Sequence, residues 1–156
     1  MTQANVIDTD TTYGNVVEQL LAQHDQVRAA IYDVAKTSTA ETRQAAFDRL
    51  CALLERHETA EEMVVHPLTD TVEAGQPVAG ARMEEETEAK EMLAELVAHD
   101  IASVEFARTF EKFAQAVLTH AQREENEEFP LLRQQLDPTA LEDAERELLL
   151  IEETVA

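Results

Sequence analysis

Glycine and cysteine are scarce in this chain, aromatic residues are few, and no long apolar run is present. Three glycines and 4% aromatic residues, against an abundance of Ala, Leu, Glu and Gln, favour helix throughout. The single cysteine, Cys51, excludes an internal disulfide and fits a reducing compartment. No basic segment followed by an apolar one opens the chain, and no apolar run approaches the length of a membrane span. A cytoplasmic, non-membrane protein is the expectation. Positive charge is also short: 12 Lys and Arg stand against 33 Asp and Glu, a formal net charge of -21. That balance argues against nucleic acid or an anionic membrane as partner, since both would repel the chain.

What is present is helical periodicity. Residues 1–12 are polar and aperiodic and read as a loose arm. From Tyr13 an apolar stripe runs through Val17, Leu20, Leu21, His24, Val27, Ile31 and Val34. Ser38-x-x-Glu41 has the form of a capping box for a second helix carrying Phe47, Leu50, Leu53, Leu54, His57, Glu61 and Val64, which stops near Pro67. A third helix is expected over about residues 78–99, with Ala79, Met83, Glu86, Ala89, Leu93 and Leu96 on one face. The fourth, capped by Asp100 or Ser103, carries Phe106, Phe110, Phe113, Val117, His120 and Glu124, and Pro130 ends or kinks it. Asp137-Pro138 is an N-cap followed by proline, opening a charged fifth helix through about Glu153. The pattern is an all-α, up-down four-helix bundle over residues 13–135, with an extra C-terminal helix over 136–156.

One motif occurs twice. His57-x-x-x-Glu61-Glu62 ahead of Pro67-Leu68 recurs as His120-x-x-x-Glu124-Glu125 ahead of Pro130-Leu131. A His and a Glu four apart share one helix face, and here that face is the apolar stripe. An ionised carboxylate buried there is costly unless it is paired or bound to a cation. The duplication supplies a further residue. His24 precedes His57 by 33 residues, and a similar step back from His120 reaches Glu86, on the stripe where Glu84, Glu85 and Glu88 are not. Three imidazoles and three carboxylates, His24, His57, His120, Glu61, Glu86 and Glu124, are too many for one tetrahedral zinc and suit a dinuclear iron or manganese centre. Glu58, on the flank of the same face, is a further candidate ligand. His57-Glu58-x-x-Glu61 lacks the second histidine of the zinc-protease motif. His66 falls about 180° from His57 and His99 about 140° from Glu86 on ideal helices, so both read as surface or helix-end histidines. Glu62 and Glu125 read as outward neighbours, Tyr32 as core, and Cys51 as a small buried residue.

With His24 on the first helix, His57-x-x-x-Glu61 on the second and His120-x-x-x-Glu124 with its Phe-Pro-Leu tail on the fourth, the chain resembles the hemerythrin-like (HHE cation-binding) family over about residues 13–132. The resemblance implies a non-haem diiron site, two Fe ions with an oxo or hydroxo bridge, and Glu61 and Glu124 as bridging carboxylates. It implies peroxide, nitric oxide or oxygen as small-molecule ligand, with either catalase- or peroxidase-type turnover or sensing without turnover. The third helix departs from the family: Glu86 stands where a histidine is usual. An anionic oxygen ligand there favours ferric iron and moves the expectation away from reversible oxygen carriage. Oligomeric state is left open by the sequence.

Overall fold

The computed structural model describes residues 14–155, so the expected N-terminal arm over residues 1–12 lies outside the described residues. The described residues form helices and no strand. Helix α1 (Val16–Ala35) is followed by α2 (Ala40–Ala60), which passes through a π turn at Glu61–Val65 into α3 (His66–Asp70). Helix α4 (Gly75–Ala98) is followed by α5 (Val104–Arg123), a second π turn at Glu124–Glu128, and α6 (Phe129–Gln135). Helix α7 (Pro138–Thr154) completes the chain. Four rods result, α1, α2–α3, α4 and α5–α6; α1 packs on α2, α4 on α5, and α7 lies across α1 and α2.

The helix starts are set by short polar side chains that accept orphan backbone N–H groups. Asn15 accepts from Glu18, Ser103 from Phe106 and Asp137 from Ala140. At α2 the cap is Thr39, accepting from Thr42, and not the expected Ser38. Pro67 and Pro130 do not end their helices. A proline offers no N–H and crowds the carbonyl four residues back. Just before each proline the ladder shifts to an i→i+5 bond: the His66 N–H reaches the Glu61 carbonyl, and the Phe129 N–H reaches that of Glu124. The rod continues, with one residue more in that turn.

Apolar packing forms two slabs. One end of the bundle buries Val27, Val34, Phe47, Leu50, Leu53, Phe106, Phe113 and Val117. The other buries Val16, Val17, Leu20, Val64, Phe129 and Leu132 against Leu141, Leu148 and Leu149 of α7. The charged fifth helix therefore docks on its own chain. Two expectations fail here. Tyr32 is 65% exposed, because eight residues from His24 place it about 80° off that direction, and the Lys36 ammonium sits 5.2 Å above its ring. Met83 is exposed, and Arg82 takes the buried place on that turn. Cys51 is half-buried, its thiol pushed up to about 11 by burial and by nearby Asp48 and Glu55.

The α3–α4 corner depends on Gly75. A Cβ there would collide with the Thr69 carbonyl oxygen, a backbone atom that cannot swing aside. Gly75→Ala is expected to lower the unfolding free energy by about 3 kcal/mol, read as a lower urea midpoint at unchanged slope.

Candidate metal centre

Between the two apolar slabs lies a polar cluster drawn from every rod of the bundle. His24 comes from α1, His57 from α2, Glu61 from the first π turn, Glu86 from α4, His120 from α5 and Glu124 from the second π turn; all six are buried. They form two groups that share two carboxylates: His24, His57, Glu61 and Glu124 in one, and Glu61, His66, Glu86 and Glu124 in the other. His120 borders the second group, its Nε2 3.1 Å from Glu86 Oε2 and 3.2 Å from Glu124 Oε2.

The shared carboxylates are split between the groups atom by atom. Glu61 Oε2 lies 3.3 Å from His57 Nε2 and 3.9 Å from His24 Nε2, while its Oε1 faces His120 Nε2 at 4.0 Å. Glu124 Oε1 lies 3.0 Å from His24 Nε2, while its Oε2 faces His120 and, at 3.8 Å, His66 Nε2.

His66 is the correction. It is fully buried in this cluster and not at the surface. An α-helix would carry it about 140° past Glu61, but the π turn takes up one extra residue, so the fifth residue stands about where an α-helix puts the fourth, back on the same face. The signal in the sequence was the proline itself, together with the repeat. His66 and Phe129 both immediately precede Pro-Leu, and so occupy one slot in the two halves. Phe129 stacks on His24 with centroids 5.6 Å apart. In the other half His66 Nε2 meets Glu86 Oε2 at 2.7 Å. A His/Phe pair in one half thus becomes a Glu/His pair in the other. The imidazole count is four and not three, and Glu86 does not leave its side of the cluster poor in nitrogen.

All four histidines are held in the same way. Each Nδ1 meets an oxygen: Glu125 at 2.7 Å for His24, Gln23 at 2.8 Å for His57, Glu128 at 2.9 Å for His66 and Glu85 at 2.9 Å for His120. Each Nε2 is thereby aimed at the carboxylates. This is the arrangement of metal-binding imidazoles, whose outer N–H is fixed by an acceptor. Glu125, expected to face outward, turns back to His24 and is itself held by Arg28 at 2.8 Å. Its counterpart Glu62 pairs with Lys90. Glu85 is braced by Arg82 and Arg123. None of these braces was expected from the stripe pattern, because each reaches the ring from a neighbouring helix.

The electrostatics require positive charge among the carboxylates. Burial would lower His57, but Glu61 beside it outweighs that and lifts the ring to about 9. Burial likewise opposes His66, and its hydrogen bonds to Glu128 and Glu86 lift it to about 11. His24 and His120 are raised against burial by Glu124. Burial and mutual repulsion push Glu61 up, and the imidazoles more than reverse it; Glu86 and Glu124 are lowered against burial by His120. Even so, His24 Nε2, His120 Nε2, both oxygens of Glu61 and of Glu124, and Glu86 Oε1 have no aligned hydrogen-bond partner. Buried polar atoms are ordinarily satisfied. Converging and unsatisfied, these atoms fit a pair of cations.

Glu58 lies beside the two groups and in neither. It faces a cleft of about 250 Å³ between α2 and α4, lined also by Cys51, Leu54, Ala89, Lys90, Leu93 and Phe113. Burial and the Glu86 charge push its carboxyl up to about 8. His99 is partly exposed at the end of α4, as expected.

The profile of the hemerythrin HHE cation-binding domain matches residues 15–132. The chain belongs to that family. The hemerythrin match spans every residue of both groups and ends before α7. The hemerythrin-type fold is also that of a solved relative, the crystal structure of a hemerythrin HHE cation-binding domain-containing protein from Mycobacterium kansasii. It superimposes with a TM-score of 0.82 at 19% identity, over 90% of this chain and 86% of that one. At that identity the likeness is one of fold. No curated protein matches the sequence. Among the described residues no helix is long and apolar enough to cross a membrane.

Proposed function

We propose that this hemerythrin-type bundle is a non-haem diiron protein that binds or reduces a small oxidant, peroxide, nitric oxide or oxygen. The observation that carries this reading is the division of Glu61 and Glu124, one oxygen of each toward either group of imidazoles. In this reading His24 and His57 hold one ion, His66, His120 and Glu86 hold the other, and Glu61 and Glu124 span both. Mixed imidazole and carboxylate donors suit iron, and two ions sharing carboxylates are the usual diiron arrangement in a bundle. When bound, the pair supplies Lewis acidity and an electron reservoir.

The chain's own residues then do three things. Glu125, Gln23, Glu128 and Glu85 fix the four rings in the tautomer that leaves Nε2 free. The apolar slabs exclude bulk water on both sides. Glu58, beside the centre rather than within it, is positioned in the α2/α4 cleft, its carboxyl raised by burial and by the Glu86 charge. It is the side chain best placed to hand a proton to a small ligand arriving by that cleft.

Metal analysis and an optical spectrum of the purified protein test the reading. The expected result is two irons per chain with near-ultraviolet charge-transfer absorption. Iron-free protein without that absorption would overturn it. Catalytic peroxide consumption by the iron-loaded protein assigns it as an oxidoreductase. Stoichiometric binding without turnover assigns it as a sensing or binding module.

A further inference from the structure

The C-terminal helix carries a residue that packing does not explain. Glu152 is 1% exposed near the end of α7, its Oε1 accepts a hydrogen bond from Gln23 Nε2 at 2.9 Å, and its Oε2 has no partner. A carboxyl buried this way is costly, and an apolar residue would serve the α7 interface better. Gln23 is completely buried, and its Oε1 meets His57 Nδ1 at 2.8 Å. The chain of contacts is therefore Glu152, Gln23, His57.

We propose that Glu152 is a positioning residue for the metal centre: through Gln23 it fixes which ring nitrogen of His57 carries the proton, which makes α7 a working part of the site. The inference rests on the reading of His57 as a ligand. A side-chain amide is ambiguous, since it donates at one end and accepts at the other. Ionised Glu152 can only accept; burial pushes its carboxyl up to about 7, while the His57 charge and the Gln23 hydrogen bond favour the ionised form. Glu152 thus obliges Gln23 to turn its NH2 toward α7 and its oxygen toward His57. When His57 gives up a proton to take a cation, the proton it keeps then sits on Nδ1, and Nε2 becomes the free nitrogen on the side of Glu61. If the amide turns over, its NH2 meets Nδ1, the proton moves to Nε2, and the ring can no longer bind a cation.

The other half of the repeat shows why this device is needed on one side only. There the residue matching Gln23 is Glu85, whose carboxylate meets His120 Nδ1 directly and is braced by Arg82 and Arg123. His120 needs no helper. His57 depends on a helix that lies beyond residue 132, where the family match ends.

The test compares Glu152→Leu, Glu152→Gln and the double variant Gln23→Glu/Glu152→Gln with the unmodified protein. Iron(II) is titrated anaerobically, cobalt(II) serves as an optical probe, and thermal unfolding is followed without metal. Glu152→Leu is expected to weaken one of the two binding steps by about 10–100-fold and to change the cobalt spectrum of that site, leaving the other step in place. Metal-free stability should change little, since removal of a buried acid offsets the acceptor that Gln23 loses. Glu152→Gln can turn either end of its amide toward Gln23, so it should fall between the parent and Glu152→Leu. The double variant, which places a carboxylate directly on His57 as Glu85 is placed on His120, should restore the weakened step. The proposal is overturned if Glu152→Leu binds both ions as the parent does, or if the double variant binds no better than Glu152→Leu. A parent protein that binds no metal would instead overturn the diiron reading itself.

Discussion

Iron loading is expected to raise the unfolding midpoint by about 10–20 °C over protein stripped with a chelator. At a free-metal concentration one hundred times the dissociation constant, each ion contributes about 2.7 kcal/mol, so two contribute about 5 kcal/mol. In a chain of this length each kcal/mol moves the midpoint by about 2–4 °C. The physical source is the trio Glu61, Glu86 and Glu124, buried together with oxygens that find no aligned donor. Without a cation, the positive charge that meets these carboxylates directly is that of the four histidines. Cation binding replaces a strained exchange of protons with direct charge neutralisation. Glu61→Ala and Glu124→Ala should therefore abolish the metal-dependent shift, and the metal-free variants should lose the pairing of those carboxylates with the imidazoles and unfold below the parent. A midpoint indifferent to iron in the unmodified protein would assign the cluster a purely structural role. Differential scanning calorimetry with and without iron distinguishes the two.

How much of this was legible beforehand depended on whether a residue's direction follows from its own helix. His24, His57, Glu61, His120 and Glu124 lie on regular α segments or at their ends, so period and duplication alone placed them on the inner face. Glu86 was legible because the repeat supplied a register that the periodicity of α4 does not, Met83 on the same expected stripe being exposed. His66 was not, because angles were counted on ideal α geometry across a π turn. Five residues lead about 140° round an α-helix but only about 40° round when a π turn takes up one of them. The braces Gln23, Glu85, Glu125, Glu128 and Glu152 were illegible for a different reason. Each acts across a helix–helix interface, and no single-helix pattern reports which neighbour a flanking carboxylate meets. The docking of α7 was open for the same reason, and its buried contacts with α1 and α2 decide it.

Replacing His66 by phenylalanine separates the two ions. The slot already holds Phe129 in the other half, so the side chain has a precedent there in both size and packing. His66→Phe is expected to reduce iron from two to about one per chain, the weaker step losing about 100-fold in affinity or more, the upper end of what a lost supporting contact costs. Glu124→Ala should lose both ions, because Glu124 faces both groups. The single variant leaves Glu128 buried with Thr69 as its remaining partner, which can itself destabilise the bundle. His66→Phe/Glu128→Val removes that charge as well, since Val65 fills the corresponding place in the first half. If the double variant folds and still binds two irons with parental affinity, His66 is a brace for Glu86 and not a ligand. One iron, held at the His24/His57 side, would establish that the imidazole absent from α4, where Glu86 stands, is supplied by His66 at the start of α3.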